Sequence, residues 1–308
     1  MGAPPFTLSN ASTHQTTPTY DGSGQVVHPS IIKFIPKILP NDFQFFLGIT
    51  PYPNGLDDLE NTSILFSKDG QVWSPNGVSN PIEGKTPTYW HNCDPCVLYA
   101  LGKFWVYWIL SKDNVRRTIL RVKTSENAIN YGARKDCLES AFIVSPSILY
   151  DVDAKRFKMW YINVPVPRTY NPEYRESEDG FNFGKAQPVS LTQAGRKIWH
   201  LDVQKLSNGK YWMLFVNHYS ETSKCLWFAD SNDGKNWQTY DLPVLSPSGV
   251  GWDSSQIYKS TFIVEDSKIK VWYTAHRNNV WHQGYTQANV NLPNEVYSLN
   301  IQRRRYRL

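Results

Sequence analysis

Five times along the chain one short pattern recurs: a polar residue, then a β-branched or apolar run, a turn, and an aromatic strand. The copies start at His28, Asp94, Ser145, His200 and Tyr258 and lead to aromatic runs at 43–47, 104–108, 157–161, 211–215 and 269–273. Proline follows the polar residue in the first three, and the starts are 66, 51, 55 and 58 residues apart. Self-similarity at such a period marks a repeat architecture, in which no unit can bury its apolar face alone.

A second repeat lies between copies of the first. Ser67, Asp69, Gly70 and Trp73 spell Ser-x-Asp-Gly-x-x-aromatic, as do Ser177 to Phe183 and Ser231 to Trp237, while Ser125 to Tyr131 is a worn copy. Asp-Gly suits a tight turn because glycine accepts positive φ. Each period therefore holds two hairpins, or one four-stranded antiparallel blade. Short alternating runs of Val, Ile, Tyr, Phe and Trp exclude helical repeats of similar length.

The expected fold is all-β: a five-bladed β-propeller over 25–302, with an irregular N-terminal arm over 1–24 and a basic tail over 303–308. The fifth blade lacks a Ser-x-Asp-Gly turn, and 281–288 with 296–301 are expected to supply its outer strands.

Composition agrees and narrows the partners. Of 308 residues 14% are aromatic and only 19% charged, with 20 prolines and 18 glycines dispersed, a turn-rich β profile. The net charge of +5 has one dense source, Arg303, Arg304, Arg305 and Arg307, so no nucleic-acid partner is expected. No stretch reaches the roughly 18 apolar residues of a membrane span and no signal peptide is read, so no membrane insertion is expected. Cys93 and Cys96 have ligand spacing without a second pair, and Cys137 and Cys225 stand apart, so all four read as free thiols. The arm is read as a contact for a particle or a second copy.

Innermost strands of a propeller line its axis. Aligning them stacks His28, Asp94, Ser145, His200 and Tyr258 in one column, and Ser30, Cys96, Ser147, Asp202 and Ser260 two residues on. Loops entering the inner strands share the mouth and carry Tyr89, Trp90, His91, Trp199, Trp252 and Asp253. Loops joining second and third strands add Tyr52, Asp57, Asp58, Glu60, Arg116, Arg168, Glu173, Glu221, His276 and Arg277. Carboxylates among exposed aromatics suit a sugar: rings stack on pyranose faces while acids bond hydroxyls or move protons.

The five-blade order with Asp-Pro opening an inner strand resembles the glycoside hydrolases of the arabinanase, xylosidase and invertase group. The motifs His28-Pro-Ser-Ile, Thr50-Pro-Tyr-Pro, Glu60-Asn-Thr-Ser-Ile, Asn80-Pro-Ile and Cys93-Asp-Pro look like a branch of such propellers found in bacteria and their phages. In the arabinanase-type enzymes an Asp of blade one is the base, an Asp of blade two orients, and a Glu of blade three is the acid. Asp94 matches the blade-two residue; His28 and Ser145 stand where the other two would be.

The resemblance implies a glycoside hydrolase acting on a polysaccharide or oligosaccharide, with Asp94, Asp202 and Glu60 as candidate catalytic carboxylates. His28, Trp90, His91, Ser145, His200, Trp252, Asp253, Tyr258 and Lys259 are the candidate substrate contacts. The reading from another class is a non-catalytic glycan-binding module, a phage-particle component recognising a bacterial surface polymer. No cofactor is expected: His28, His200, Asp94 and Asp202 offer mixed nitrogen and oxygen ligands, a set that suits a transition metal or a water-filled ring, and no tightly held zinc is expected.

Overall fold

The computed structural model describes residues 2–35, 39–193, 196–218 and 224–303. Five small sheets surround one axis. Blade I holds β1 (Val26–Ile35), β2 (Phe45–Pro51) and β3 (Ser63–Ser67); blade II holds β4 (His91–Ala100), β5 (Lys103–Lys112), β6 (Arg117–Ser125) and β7 (Lys135–Ser140). Blade III is β8 (Ile143–Asp151), β9 (Arg156–Asn163), β10 (Asn171–Ser177) and β11 (Gln187–Pro188). Blade IV joins β12 (Ser190–Leu191), which pairs parallel with its outer edge, to β13 (Ile198–Lys205), β14 (Tyr211–Asn217), β15 (Leu226–Ser231) and β16 (Asn236–Thr239). Blade V has β17 (Gln256–Glu265), β18 (Lys268–Arg277) and β19 (Val280–Asn289), and β20 (Ile301–Arg303) ends the described chain.

The apolar clusters lie between blades. One joins Phe46 and Phe66 of blade I to Trp108 of blade II, and the next joins Trp105 and Tyr107 to Phe157 and Tyr161 of blade III. A third joins Trp160 to Trp237. Each blade is thus stabilised by its neighbours, with a buried Phe or Trp at such a seam worth about 3–5 kcal/mol against alanine.

The two repeats prove to be seam devices. The amide N–H of Val97, Ile148, Val203, Phe262 and Ile31 donates to Ser30, Cys96, Ser147, Asp202 and Thr261 respectively, each acceptor lying on the blade before its donor. The result is a closed five-membered ring of side-chain-to-backbone bonds around the axis. In the turns, the carbonyls of Gly70, Gly180 and Gly234 accept bonds from Trp272 Nε1 (2.6 Å), Tyr107 Oη (2.7 Å) and Trp160 Nε1 (2.6 Å) of the preceding blade. Gly180 has φ +77, and a Cβ there would stand 2.8 Å from the Trp105 ring.

The last segment departs from expectation. Residues 281–288 do lie within a blade V strand, β19, but 296–301 add none. Instead Ser298 Oγ accepts the Val264 N–H, Asn300 Nδ2 donates to Ile31 O, and β20 pairs parallel with β1 on the axial side. The N-terminal arm takes the outer edge of blade V: Gln15 N–H donates to Gln283 O and Thr286 Oγ1 to Ser9 O. Gln15 Nε2 also donates to Gly70 O while its Oε1 accepts from Trp73 Nε1, tying blade V to blade I. Phe6 and Leu8 are buried in this chain's own core, so the arm spends its apolar side chains at home. Of the basic tail, 304–308 lie outside the described residues, as does Glu221.

Candidate functional site

All five inner strands carry one extra residue at the same level, a bulge between Val27 and Ser30, Cys93 and Cys96, Val144 and Ser147, Ile198 and His200, and Ile257 and Lys259. His28, Asp94 and Ser145 sit in these bulges with φ of +56, +51 and +55. A left-handed residue opening a bulge bends the strand and re-aims its side chain, a device common beside active sites.

The bulges also correct the alignment of blade V. Cross-strand partners align Ser30↔Gly48, Cys96↔Tyr107, Ser147↔Trp160 and Asp202↔Leu214 with Thr261↔Trp272. Counting back two residues, the column is His28, Asp94, Ser145, His200 and Lys259, not Tyr258, and below it Thr261 replaces Ser260. The slip of one residue matters because it exchanges the faces of a strand.

Asp94 is the hub. Its Oδ1 lies 2.7 Å from Lys259 Nζ, 3.4 Å from His200 Nδ1 and 3.7 Å from His28 Nε2, while Oδ2 accepts the Ser145 N–H at 2.9 Å. Burial would raise its pKa, but His28, Lys259 and His200 override this and hold it well below the usual carboxylate range. Burial pushes His28 well below the ordinary histidine value and lowers His200 as well, against the pull of Asp94. Among the described residues, His28 Nε2 and both ring nitrogens of His200 have no hydrogen-bond partner.

Glu60 stands beside this hub, after a short 3-10 turn at Asp57–Leu59. The Asn92 N–H donates to Glu60 O (3.3 Å), and an Asn61–Asn92–Trp108 side-chain chain fixes that junction. Glu60 Oε2 is 3.3 Å from His91 Nε2, and Oε1 is 3.9 Å from His28 Nδ1. Burial, with repulsion from Asp57, Asp94 and Asp113, raises the Glu60 pKa well above the usual value. Asp113, 3.8 Å from His91, is a neighbour that no sequence signal marked. Tyr258, off the column, packs its ring 4.5 Å from His200 and 5.4 Å from His28.

The structure thus brings together Glu60, His28, His91, Asp94, His200, Tyr258 and Lys259, with Ser145 contributing its amide. Its hydroxyl is used within the fold, accepting the Leu201 N–H. Asp202 is set apart, two residues or about 7 Å further along β13. Its oxygens serve Ser147, Gln204, Thr261 and the Phe262 amide, beside a small cavity of about 40 Å³, and burial raises its pKa to about 6. Trp252 and Asp253 leave the mouth because the arm claims them: Trp252 Nε1 donates to Ala11 O, and Asp253 accepts from Asn10 and Tyr273. Trp90 lines a lateral groove, with Lys112 and Arg117 over its ring.

The ligand atoms of His28, Asp94 and His200 all lie within 4.8 Å of one another, as do those of Glu60, His91 and Cys93. The first set, two imidazoles and a carboxylate, offers the donors a divalent transition metal takes. Asp202, expected beside the histidines, is not part of it.

No protein-family profile matches the chain, and no curated protein matches it by sequence. Among solved structures it is similar to an N-acetylgalactosamine deacetylase from F. plautii in complex with blood group B trisaccharide, at 25% identity and TM-score 0.82, covering 92% of this chain and 95% of that one. It is also similar to a thermostable family-43 glycoside hydrolase (15% identity, TM-score 0.58, 92% and 95% covered). An α-L-arabinofuranosidase from Podospora anserina in complex with cellotriose aligns at 12% identity and TM-score 0.64, with 94% and 99% covered. The chain has the five-bladed β-propeller fold of these structures.

Proposed function

We propose that the protein is a glycan-active hydrolase whose reaction centre is the His28–Asp94–His200 cluster with Glu60 beside it, and that it cleaves the amide of an N-acetylated amino sugar. The observation that carries this reading is the convergence of two imidazoles on one carboxylate oxygen, with three buried ring nitrogens unbonded. Buried polar atoms without partners call for an explanation, and a bound cation supplies one for His28 Nε2 and His200 Nδ1. Two ligands each about 2.1 Å from a tetrahedral cation stand about 3.4 Å apart. The Asp94–His200 and Asp94–His28 separations of 3.4 and 3.7 Å agree.

His28, Asp94 and His200 would hold the cation, which supplies Lewis-acid polarisation of the amide carbonyl. Glu60, its pKa raised by burial and by the neighbouring carboxylates, takes a proton from the attacking water and returns it to the departing nitrogen. In balance, water oxygen joins the carbonyl carbon, the C–N bond breaks, the nitrogen leaves as a protonated amine and acetate is released. The Tyr258 ring packs against His200 on the blade V side of the cluster. Likeness to the F. plautii deacetylase over 92% of this chain supports the reading.

One observation favours a second reading, hydrolysis of a glycosidic bond. Glu60 and Asp94 have their pKa values driven in opposite directions, the division between acid and base that a carboxylate pair needs.

Mass spectrometry after incubation with N-acetylated oligosaccharides separates the readings. Free acetate with intact chain length is the expected result. Shortened chains without acetate overturn the amide reading in favour of the glycosidic one. Bound but unaltered sugar leaves a glycan-binding module.

A further inference from the structure

Beside the axial cluster lies an open depression of about 560 Å³ at the blade II–IV side of the mouth. It adjoins the centre at two points: the Trp199 ring packs 5.6 Å from that of His200, and Asp113, also in its lining, stands 3.8 Å from His91. Its aromatic wall is continuous, Tyr170 meeting Trp199 edge-on at 5.8 Å and Trp199 meeting His218 at 4.4 Å. Trp199 is only half-buried, as a stacking platform must be.

The charge around this platform is one-sided. Arg116, Arg168 and Lys197 line it against the single acid Asp113, three positive charges to one negative. Among the described residues, Arg168 and Lys197 form no ion pair. Arg116 is fixed in place: its guanidinium lies 4.8 Å over the Phe142 ring, one terminal nitrogen donates to Val164 O, and Nε has no partner. Arg116 and Arg168 both adopt left-handed backbone, φ +52 and +68, a conformation that is unfavourable for a long side chain. Both arginines line the same depression.

We infer that this depression is a subsite for an acidic sugar, whose ring stacks on Trp199 and whose anionic group is held by Arg116, Arg168 and Lys197, next to the residue reacting at the axis. The inference rests on the proposed axial reaction centre and adds a substrate class: glycans in which an N-acetylated amino sugar neighbours a sugar carrying a carboxylate or sulfate. Guanidinium groups bind both anions through paired N–H donors, so the chemistry fixes charge before it fixes the acid.

The test compares three probes by titration calorimetry: hyaluronan tetrasaccharide (carboxylate), chondroitin sulfate tetrasaccharide (carboxylate and sulfate) and neutral chitotetraose. At least one acidic probe is expected to bind about tenfold more tightly than chitotetraose, as charge-assisted hydrogen bonds dictate. The advantage should shrink with added salt and fall to about one in the Arg168→Gln/Lys197→Gln variant. Preference for hyaluronan or for the sulfated probe tells which anion the rim was built for. Equal affinities for all three, no binding of either acidic probe, or an advantage that survives in the double variant overturns the subsite. Acetate release, read separately, keeps the two ideas apart. Equal release from neutral and acidic probes with equal affinities sinks the subsite alone, and charge-selective binding without acetate sinks the axial reaction alone.

Discussion

Lys259 Nζ lies 2.7 Å from Asp94 Oδ1, joining the fifth blade to the second directly across the axis. Both side chains are at most 3% exposed. A buried ammonium on the oxygen that also faces two imidazoles gives the centre two alternatives, an internal ion pair or a bound cation. Removing the ammonium is expected to favour the second. Lys259→Met should raise the affinity for added Zn²⁺ or Mn²⁺ in equilibrium dialysis, whereas Asp94→Asn should lower it. A Lys259→Met protein that binds neither ion would show that the pair, and not a metal, is the working state.

Asp94→Asn keeps the shape of the hub but removes the charge that orients His28 and His200. Turnover of an N-acetylated oligosaccharide should fall by about 10²–10⁴, the span expected when a positioned acid–base or ligand group is lost. Glu60→Gln should fall within the same range, while Asp202→Asn, whose carboxylate is bonded within the fold, should keep most of its activity. Steady-state kinetics on the three variants checks this. An inactive Asp202→Asn protein with an unchanged melting temperature would return Asp202 to the centre.

The five-membered ring of inter-blade bonds predicts stability effects without loss of a large side chain. Ser30→Ala strands the Val97 amide and Thr261→Val that of Ile31. Each should cost about 1–3 kcal/mol in urea unfolding, the penalty for a buried unpaired donor. Ser260→Ala, at the position sequence alignment favoured, should cost less, since the Ser260 hydroxyl has no partner among the described residues.

Gly180→Val should be more damaging than any of these. It forces a β-branched residue to φ +77 and drives its Cβ to 2.8 Å from Trp105. Ala128, at the glycine position of the worn copy, has φ +64 and is fully buried. A Gly180→Val protein with unchanged thermal stability would refute the role assigned to the turn.

Asp151 predicts the acid limb of stability. Burial raises its pKa, yet the ammonium groups of Lys158 and Lys205, 2.8 and 2.9 Å away, and the Ala154 amide hold it well below the usual range. A depressed carboxylate contributes stability that is full above its unfolded pKa, about 3.9, and is lost as pH falls through the folded value. Unfolding of wild type and Asp151→Asn at pH 7, 4 and 2.5 should show a gap that narrows only below about pH 4. A gap independent of pH would mean that Asp151 acts through packing alone.

The sequence alone determined the propeller, because its blades are written in local terms. A period-two alternation, an Asp-Gly turn and a polar residue before proline each act within a few residues, and five copies leave one architecture. It also placed Asp94, His28 and His200 on one column, since inner strands must line the axis. What it could not determine is whatever a single residue of slip or a distant segment controls. The bulge before Lys259 turned that side chain toward Asp94 and moved Tyr258 aside, and bulges leave no mark when Pro or Gly does not accompany them. Trp252 and Asp253 have the composition of a sugar contact, but Asn10 and Ala11, more than 240 positions earlier, hold them. Asp202 and Asp94 occupy successive positions of the same pattern, yet only depth along the axis decides which carboxylate meets imidazoles and which is satisfied by hydroxyls, a side-chain amide and one backbone N–H. Depth is a property of the closed ring, and no strand carries it by itself.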